Sequence, residues 1–134
     1  MWTIAEIFKL MAIASQLSGL PMAKEIPFVF VEHDRDIQRE VCAYARAVDK
    51  SAHCSEVYGF MYGKTQEIYI SDDLGPYTGN AVLVHELTHW LERQADVNQE
   101  NPCKNEQLAL KTEIAYSLKY EHKVSQATTK VCDG

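Results

Sequence analysis

The sequence predicts a compact α+β domain, in which a small antiparallel or mixed sheet containing one hairpin packs against helices. Three observations predict this class. Apolar residues recur at helical spacing near the start of the chain, strand-like runs occupy its middle, and long segments of helix-forming residues follow. With 134 residues, 46% of them hydrophobic, the chain is long enough to bury one core. We therefore expect a single domain over residues 1–134.

The first predicted helix lies within residues 2–20. Glu6 and Lys9 interrupt its hydrophobic run, so we interpret the segment as an amphipathic helix and not as a secretion signal. Gly19 and Pro21 are expected to end it. Its apolar residues at helical spacing are expected to face the core: Ile7, Leu10, Met11, Ala14 and Leu17.

A strand and a second helix are expected next. The β-rich run Phe28–Val31 predicts the strand. Residues of about 36–50 predict the helix, for which Asp34 or Asp36 is the expected N-cap. The apolar positions that repeat at helical spacing in this second helix are Ile37, Val41, Tyr44, Ala45 and Val48.

Two further strand-like runs, Val57–Tyr62 and Glu67–Ile70, are separated by Gly63–Gln66. A connection of this length and composition is typical of a β-hairpin. In the second run Ile68 and Ile70 alternate with other residues, which predicts a strand with one buried face.

The following predicted helix, residues 81–94 with Asn80 as its N-cap, contains the segment His85-Glu86-Leu87-Thr88-His89. Side chains four residues apart share one helix face, so both imidazoles can bind a single zinc ion at ~2.0–2.1 Å. Glu86 is rotated by about 100° from His85, which suits a carboxylate that faces water beside the metal. The alternative is two surface histidines and a solvated glutamate on an ordinary amphipathic helix. The apolar flanks of the motif favour the zinc site.

A catalytic zinc ion usually has three protein ligands and a water, so a third ligand is expected downstream. The last predicted helix runs from Cys103 to about Lys123, and it places Glu106 and Glu113 on nearly the same face. Ala109 is small and lies one turn beyond Glu106, which would let the two helices approach closely there. This favours Glu106 as the third ligand, and Glu113, otherwise a solvated helix residue, stays the alternative.

The combination of His85-Glu86-x-x-His89 with Glu106-x-x-Ala109 resembles the gluzincins, zincin-like metallopeptidases whose third zinc ligand is a glutamate on a later helix. The likeness is greatest to compact single-domain bacterial zincin-like proteins, and it covers most of residues 4–120. It departs at Leu110, where gluzincins often carry an acidic or aromatic residue. Other segments with counterparts in that scheme are Pro27–Val29, Glu67–Ile70 and Cys103.

This resemblance implies a minimal zincin-like fold and a zinc metallopeptidase that hydrolyses peptide bonds with Glu86 as general base and acid. The zinc ion (Zn2+) would be bound by His85, His89 and Glu106. It also implies that the strand Glu67–Ser71 offers a free edge to an extended peptide, unless this strand is interior or capped. The candidate donors to the developing oxyanion are Tyr116, Tyr120 and His122. The alternative for each of them is a packing or surface residue.

Two other function classes stay open from the sequence. One is a zincin-like binding module whose zinc site is structural or vestigial, which the small size of the chain favours. The other is an inhibitor or immunity-type protein with a fortuitous motif, which predicts no stoichiometric zinc. The remaining histidines lack a second ligand at helical spacing and are interpreted as surface residues: His33, His53 and His122.

Charge restricts the possible partners. The net charge is -6 with a pI near 5.3, and the basic residues are scattered, so the chain has no basic patch of the kind that binds nucleic acid or an anionic membrane. No stretch of the sequence approaches the ~20 apolar residues that cross a bilayer. A peptide or protein substrate is the expected partner, and the oligomeric state is left open.

The chain has four cysteines, an even number that favours disulfides and an oxidising compartment. The expected pairs are Cys42 with Cys54 and Cys103 with Cys132. These pairs predict a periplasmic or secreted protein. The alternative is four reduced thiols in the cytoplasm.

Overall fold

The computed structural model of the protein describes residues 1–48, 58–62, 66–124 and Cys132. This part of the chain forms helices and a small mixed sheet, which confirms the predicted α+β class. The elements in chain order are α1 (Ile4–Ser18), β1 (Val29–Glu32), α2 (Asp34–Val48), β2 (Gly59–Met61), β3 (Ile68–Ser71), α3 (Gly79–Ala95) and α4 (Pro102–Tyr120).

The strands lie in the order β1-β3-β2, with β3 parallel to β1 and antiparallel to β2. The predicted hairpin is therefore confirmed as a strand pair, and β1 begins one residue later than expected. Ile68 and Ile70 are buried, as their alternation predicts. The expectation of a free edge at Glu67–Ser71 is wrong, because β3 is the central strand and has a hydrogen-bonded neighbour on each side.

The core lies between one face of the sheet and helices α1, α3 and α4. Leu83, Leu87 and Leu91 recur along the buried face of α3, and Met11 of α1 packs in the same cluster. Full burial of such side chains stabilises the fold by ~1.5–3 kcal/mol each, which fixes α3 firmly in the centre of the domain. Gln94, near the C-terminal end of α3, is exposed, and its Nε2 donates a hydrogen bond to Oε1 of Gln66.

Helix α1 follows the sequence prediction closely. Thr3 forms a capping box with Glu6 at its start, and Gly19 ends it with a φ of 80° that only glycine adopts without strain. Of the predicted core-facing residues, Leu17 is partly buried and the others are buried.

The N-cap of α3 is Thr78 and not Asn80 as predicted. The Thr78 side chain accepts a hydrogen bond from the backbone N–H of Ala81. Asn80 lies inside the first turn, where its Oδ1 accepts a hydrogen bond from Nε1 of Trp2 at 2.7 Å. The Asn80 side chain, which local preference favours as the cap, is thus engaged by Trp2 from a distant part of the chain.

Helix α2 begins at Asp34, and the prediction that Asp34 or Asp36 caps it is wrong. Both residues lie in the first helical turn. The backbone N–H of Asp34 has no acceptor within the helix and instead donates a hydrogen bond to Oδ1 of Asp72, at 2.9 Å. Of the predicted apolar positions in α2, Ile37 is fully buried, while the side chains of Tyr44, Ala45 and Val48 lie outside the described part.

The disulfide between Cys103 and Cys132 is confirmed. Cys42 is also disulfide-bonded. Its predicted partner Cys54, like His53, lies outside the described residues. Within the described ranges, no helix combines the length and apolar composition that a membrane crossing requires.

Candidate metal centre

Helix α3 presents the two histidines of the motif side by side. Its apolar face is buried in the core, so the positions of His85 and His89 are fixed at the border between core and solvent. Their side chains are 12% and 13% exposed, and their ring centroids lie 5.0 Å apart. One turn of helix therefore brings both imidazoles to the same small region, as the spacing predicts.

Glu106 of α4 contacts both rings. Its Oε1 lies 2.9 Å from Nε2 of His85, and its Oε2 lies 3.2 Å from Nε2 of His89. One ligand atom from each of the three side chains lies within 4.8 Å of the others, an arrangement that could hold a metal ion. The Glu106 side chain is 42% exposed, so the group opens to solvent on this side.

The structure separates the two glutamates that the sequence leaves as alternatives. Glu106 faces the Nε2 atoms of both histidines, whereas Glu113 contacts the opposite ring nitrogen of His85. The interpretation of Glu113 as a solvated residue is wrong, because it is 5% exposed. It is buried because α3 and α4 run antiparallel and closely packed, with Ala109 fully buried between the two glutamates.

Glu92 is a residue of this site that the sequence analysis does not identify. It is fully buried, and its Oε1 lies 3.2 Å from Nδ1 of His89. A signal for it exists in the sequence, since Glu92 follows His89 by three residues and so shares its helix face. The pattern alone cannot separate a buried partner of this kind from an exposed helix residue.

Glu86 is a further buried carboxylate beside the convergent groups, and it lies on the Nε2 side of His85. It is 5% exposed, and its Oε2 lies 4.0 Å from Nε2 of His85. Burial raises the pKa of Glu86, an effect that the neighbouring His85 and His89 only partly offset. A carboxyl group whose pKa moves toward neutrality is suited to accept and return a proton.

The charged groups of the centre strongly change one another's pKa values. Burial lowers the pKa of His89, but its hydrogen bonds to Glu106 and Glu92 outweigh this and raise the pKa to about 9. Burial acts on His85 in the same way, and its hydrogen bonds to Glu106 and Glu113 raise its pKa well above the usual range. Burial raises the pKa of Glu106, but the two histidines more than reverse this and hold it well below its usual value.

The donor set fits a divalent metal of the zinc class. Two imidazole nitrogens and one carboxylate oxygen are ligands typical of catalytic zinc sites, although other first-row metals also accept them. Tetrahedral ligation at ~2.0–2.1 Å requires donor atoms about 3.3 Å apart. Oε1 of Glu106 lies 2.9 Å from Nε2 of His85 and Oε2 lies 3.2 Å from Nε2 of His89, both close to this value, and one ligand atom from each residue lies within 4.8 Å of the others.

The other residues that the sequence suggests for the site lie toward the C-terminal end of α4, beyond Glu113. Tyr116 and Tyr120 stand about 15 and 21 Å along α4 from Glu106, at ~1.5 Å per residue. Tyr116 is buried and stacked on Tyr120, and His122 is exposed beyond the end of the helix. These placements favour the alternative, in which the three are packing or surface residues, and their role as oxyanion donors stays a prediction. His33 is exposed, as expected for a surface histidine.

Strand β2 runs beside the centre and forms an edge of the described sheet. A Cβ atom added at Gly59 would lie 2.9 Å from Cγ1 of Val82 and 3.3 Å from Cγ of Glu86. Tyr58 accepts a hydrogen bond from Ser71 of β3, and Tyr62 bonds to Glu67 just before that strand, so the backbone groups of Gly59 and Met61 point away from β3. These groups have no hydrogen-bond partner among the described residues.

No protein-family model, no curated protein and no solved structure matches this chain. The chemistry of the centre therefore has to be inferred from its own donor atoms and their surroundings.

Proposed function

We propose that this chain is a zinc-dependent hydrolase that cleaves peptide bonds, with zinc bound by His85, His89 and Glu106. The observation that carries this proposal is the convergence of three ligand atoms within 4.8 Å, beside a buried carboxylate. A centre built only for structure usually has four protein ligands and no open position. Three ligands on a side that is open to solvent favour catalysis.

When bound, zinc would supply Lewis acidity, polarising a substrate carbonyl and making water more acidic. The chain's own contribution is Glu86. Its carboxylate would accept a proton from the attacking water and deliver it to the leaving amine nitrogen, so that one water is consumed for each C–N bond broken. The raised pKa of Glu86, caused mainly by burial, supports both halves of this proton transfer.

The edge strand β2 supports a peptide as the substrate. An extended chain can pair with the outward backbone groups of Gly59 and Met61 as one more strand. Because Gly59 lies against Glu86, a peptide paired there would run past the reacting centre. This role falls to β2, since β3 is interior.

The cysteines support an oxidising compartment for this activity. The Cys103–Cys132 disulfide is compatible with a periplasmic or secreted location, where such bonds persist. We extend the proposal to that location.

Glu86→Gln is the decisive variant for the proposed function. Gln keeps the shape of the side chain but cannot accept the proton, so this variant should bind zinc stoichiometrically and lose ~10²–10⁴-fold in hydrolysis of a quenched peptide library. Glu100→Gln, at an exposed carboxylate outside the site, is the matched control and should keep both properties.

The same experiment separates the other function classes. A wild-type protein with stoichiometric zinc but no hydrolysis would favour a zinc-binding interaction module. Purified protein that contains no zinc and takes up none would favour a fortuitous motif. Equal hydrolysis by the wild type and Glu86→Gln would remove Glu86 from the mechanism.

A further inference from the structure

Two buried carboxylates, Glu92 and Glu113, have no part in the proposed proton transfer. Glu92 is fully buried in α3, and Glu113 is 5% exposed in α4. Burying an ionised carboxylate costs several kcal/mol unless hydrogen bonds and opposite charge compensate for the lost water. Both carboxylates have their compensating partner at the centre, since each contacts one of its histidines.

Glu113 contacts His85 on the side opposite Glu106. Its Oε1 lies 2.9 Å from Nδ1 of His85. A carboxylate only accepts hydrogen bonds, so Nδ1 donates in this contact. The other ring nitrogen, Nε2, faces Glu106. Because Glu113 lies two turns beyond Glu106 on α4, that single helix holds both nitrogens of the ring.

Glu92 holds the second histidine from within α3. Its Oε1 lies 3.2 Å from Nδ1 of His89, three residues earlier on the same helix. Its Oε2 accepts a hydrogen bond from Nδ2 of Asn98 at 3.1 Å. Asn98 has a φ of 59° and lies in the turn that connects α3 to α4, so both oxygens of Glu92 are bound and its orientation is fixed.

We propose that Glu92 and Glu113 are positioning residues that hold His89 and His85 as Nδ1–H tautomers, so that both Nε2 lone pairs converge on one divalent cation. This inference rests on the proposed metal centre and extends it to residues that do not touch the metal. Neutral imidazole carries its proton on either nitrogen, and a hydrogen-bond acceptor at one nitrogen selects the tautomer. Glu113 and Glu92 accept at Nδ1 of the two rings, so the Nδ1–H form is the one held in both rings when a cation takes the place of the protons between Nε2 and Glu106.

Zinc affinity, measured by competition with a chromogenic chelator, tests the positioning role. Glu92→Leu and Glu113→Leu remove the acceptor and should bind zinc ~10–100-fold more weakly than the wild type. Glu92→Gln and Glu113→Gln should lie between, because a carboxamide oxygen still accepts a hydrogen bond from Nδ1. Glu100→Leu, at an exposed position, is the matched control and should bind like the wild type.

A second readout reports the tautomer directly. Long-range 1H–15N NMR spectra of the zinc-loaded wild type should show both rings protonated at Nδ1 and bound through Nε2. In the Leu variants the affected ring should lose this fixed pattern, an effect that a purely structural role would not produce. If a Leu variant does not fold, the Gln variant at the same position decides through its affinity and its spectrum.

The outcomes distinguish this inference from the proposed function. Wild-type protein that binds zinc, together with Leu or Gln variants of unchanged affinity, overturns the positioning role alone. Zinc-loaded rings bound through Nδ1 also overturn it. A wild type that binds no zinc overturns the metal centre and this inference together. Hydrolysis enters neither measurement, so a failure of the enzymatic proposal leaves this test intact.

Discussion

Cys103 lies one helical turn before Glu106 on α4, and its disulfide to Cys132 anchors the helix end that carries this carboxylate. Helix ends fray unless they are tied down, because their first N–H groups lack partners within the helix. Asn101 caps this end by accepting a hydrogen bond from the backbone N–H of Lys104, and Pro102 begins the helix. The least buried of the three candidate ligands therefore sits on a doubly secured turn.

Removing this disulfide should lower both stability and zinc affinity. In the chain-entropy model, a link across a sequence separation of 29 residues stabilises the fold by about 3–4 kcal/mol. We expect the double variant Cys103→Ser, Cys132→Ser to lose about this much in urea unfolding of the metal-free protein, and to bind zinc more weakly in chelator competition. Lys104→Ser, an exposed neighbour, is the control. Unchanged zinc affinity in the double variant would show that the anchor does not position Glu106.

Removing the ligands one by one should produce a graded loss of metal. His85→Ala or His89→Ala should abolish stoichiometric zinc binding, and Glu106→Ala should weaken it, because a carboxylate with a 42% exposed side chain can be replaced in part by water. Metal content after dialysis checks this order. His33→Ala, at an exposed histidine, should retain full zinc content. Full zinc content in Glu106→Ala would disprove its assignment as a ligand.

Metal-free protein should lose stability as the pH rises from 6.5 to about 9. The pKa of His89 is lowered by burial but raised overall, from 6.5 to about 9, by Glu106 and Glu92. The folded state thus binds the proton more tightly than the unfolded state, so this stabilisation is complete below pH 6.5 and is lost as the pH passes about 9. Burial also raises the pKa of Glu86, so this group likewise lowers the stability of the folded state as the pH rises.

Urea unfolding of the chelator-treated protein at several pH values in this range checks the prediction. His89→Ala removes one of the titrating groups, so its stability should depend less on pH. His33→Ala should keep the slope of the wild type. A wild-type stability that rises across the range would contradict the assigned charge coupling.

Zinc uptake near neutral pH should release protons. The pKa values of His85 and His89 are raised in the metal-free centre, mainly by hydrogen bonds to carboxylates that outweigh burial. A zinc ion needs the Nε2 lone pairs, so it must displace the protons that occupy them. Titration calorimetry in buffers of different ionisation enthalpy counts the released protons, and the apparent affinity should increase with pH. Zinc binding that is independent of the buffer would contradict this exchange.

Gly59→Ala should impair the reaction more than its effect on stability explains. The added Cβ would lie 2.9 Å from Val82 and 3.3 Å from Glu86, and such overpacking costs ~1–3 kcal/mol. It would also displace the Glu86 side chain. Gly19→Ala is the matched control, because its positive φ costs roughly 1–2 kcal/mol while its Cβ meets nothing within 4 Å. Comparing peptide hydrolysis with unfolding free energy for both variants tests the prediction, and equal activity in the two would contradict it.

Sequence pattern predicts the parts of this fold that depend on local periodicity. The apolar spacing in α1, the alternation of Ile68 and Ile70, and the four-residue spacing of His85 and His89 all depend on neighbours along the chain. Each is present in the structure at the expected place. The preference for Glu106 over Glu113 as the third ligand depends in addition on a contact between helices, because the small side chain of Ala109 lets the two helices approach closely.

Local sequence periodicity does not predict the features that depend on contacts between distant parts of the chain. Asn80 has the right chemistry for an N-cap, but Trp2 binds its side chain and Thr78 caps the helix instead. Glu92 and Glu113 look like ordinary helix glutamates until the antiparallel packing of α3 on α4 buries them against the histidines. Tertiary structure decides in these cases, because the alternatives are equally compatible with local preference.

The central place of β3 determines the order in which the chain can assemble. β3 supplies the hydrogen-bonding partner of both β1 and β2, and the parallel pair joins Val29 to Ile68 across the whole of α2. Neither outer strand has its pairing partner until residues 68–71 have been synthesised, and β1 must then pair across a long loop. Closing the sheet between Val29 and Ile68 is therefore expected to be slower than forming the β2–β3 hairpin, whose strands are neighbours along the chain.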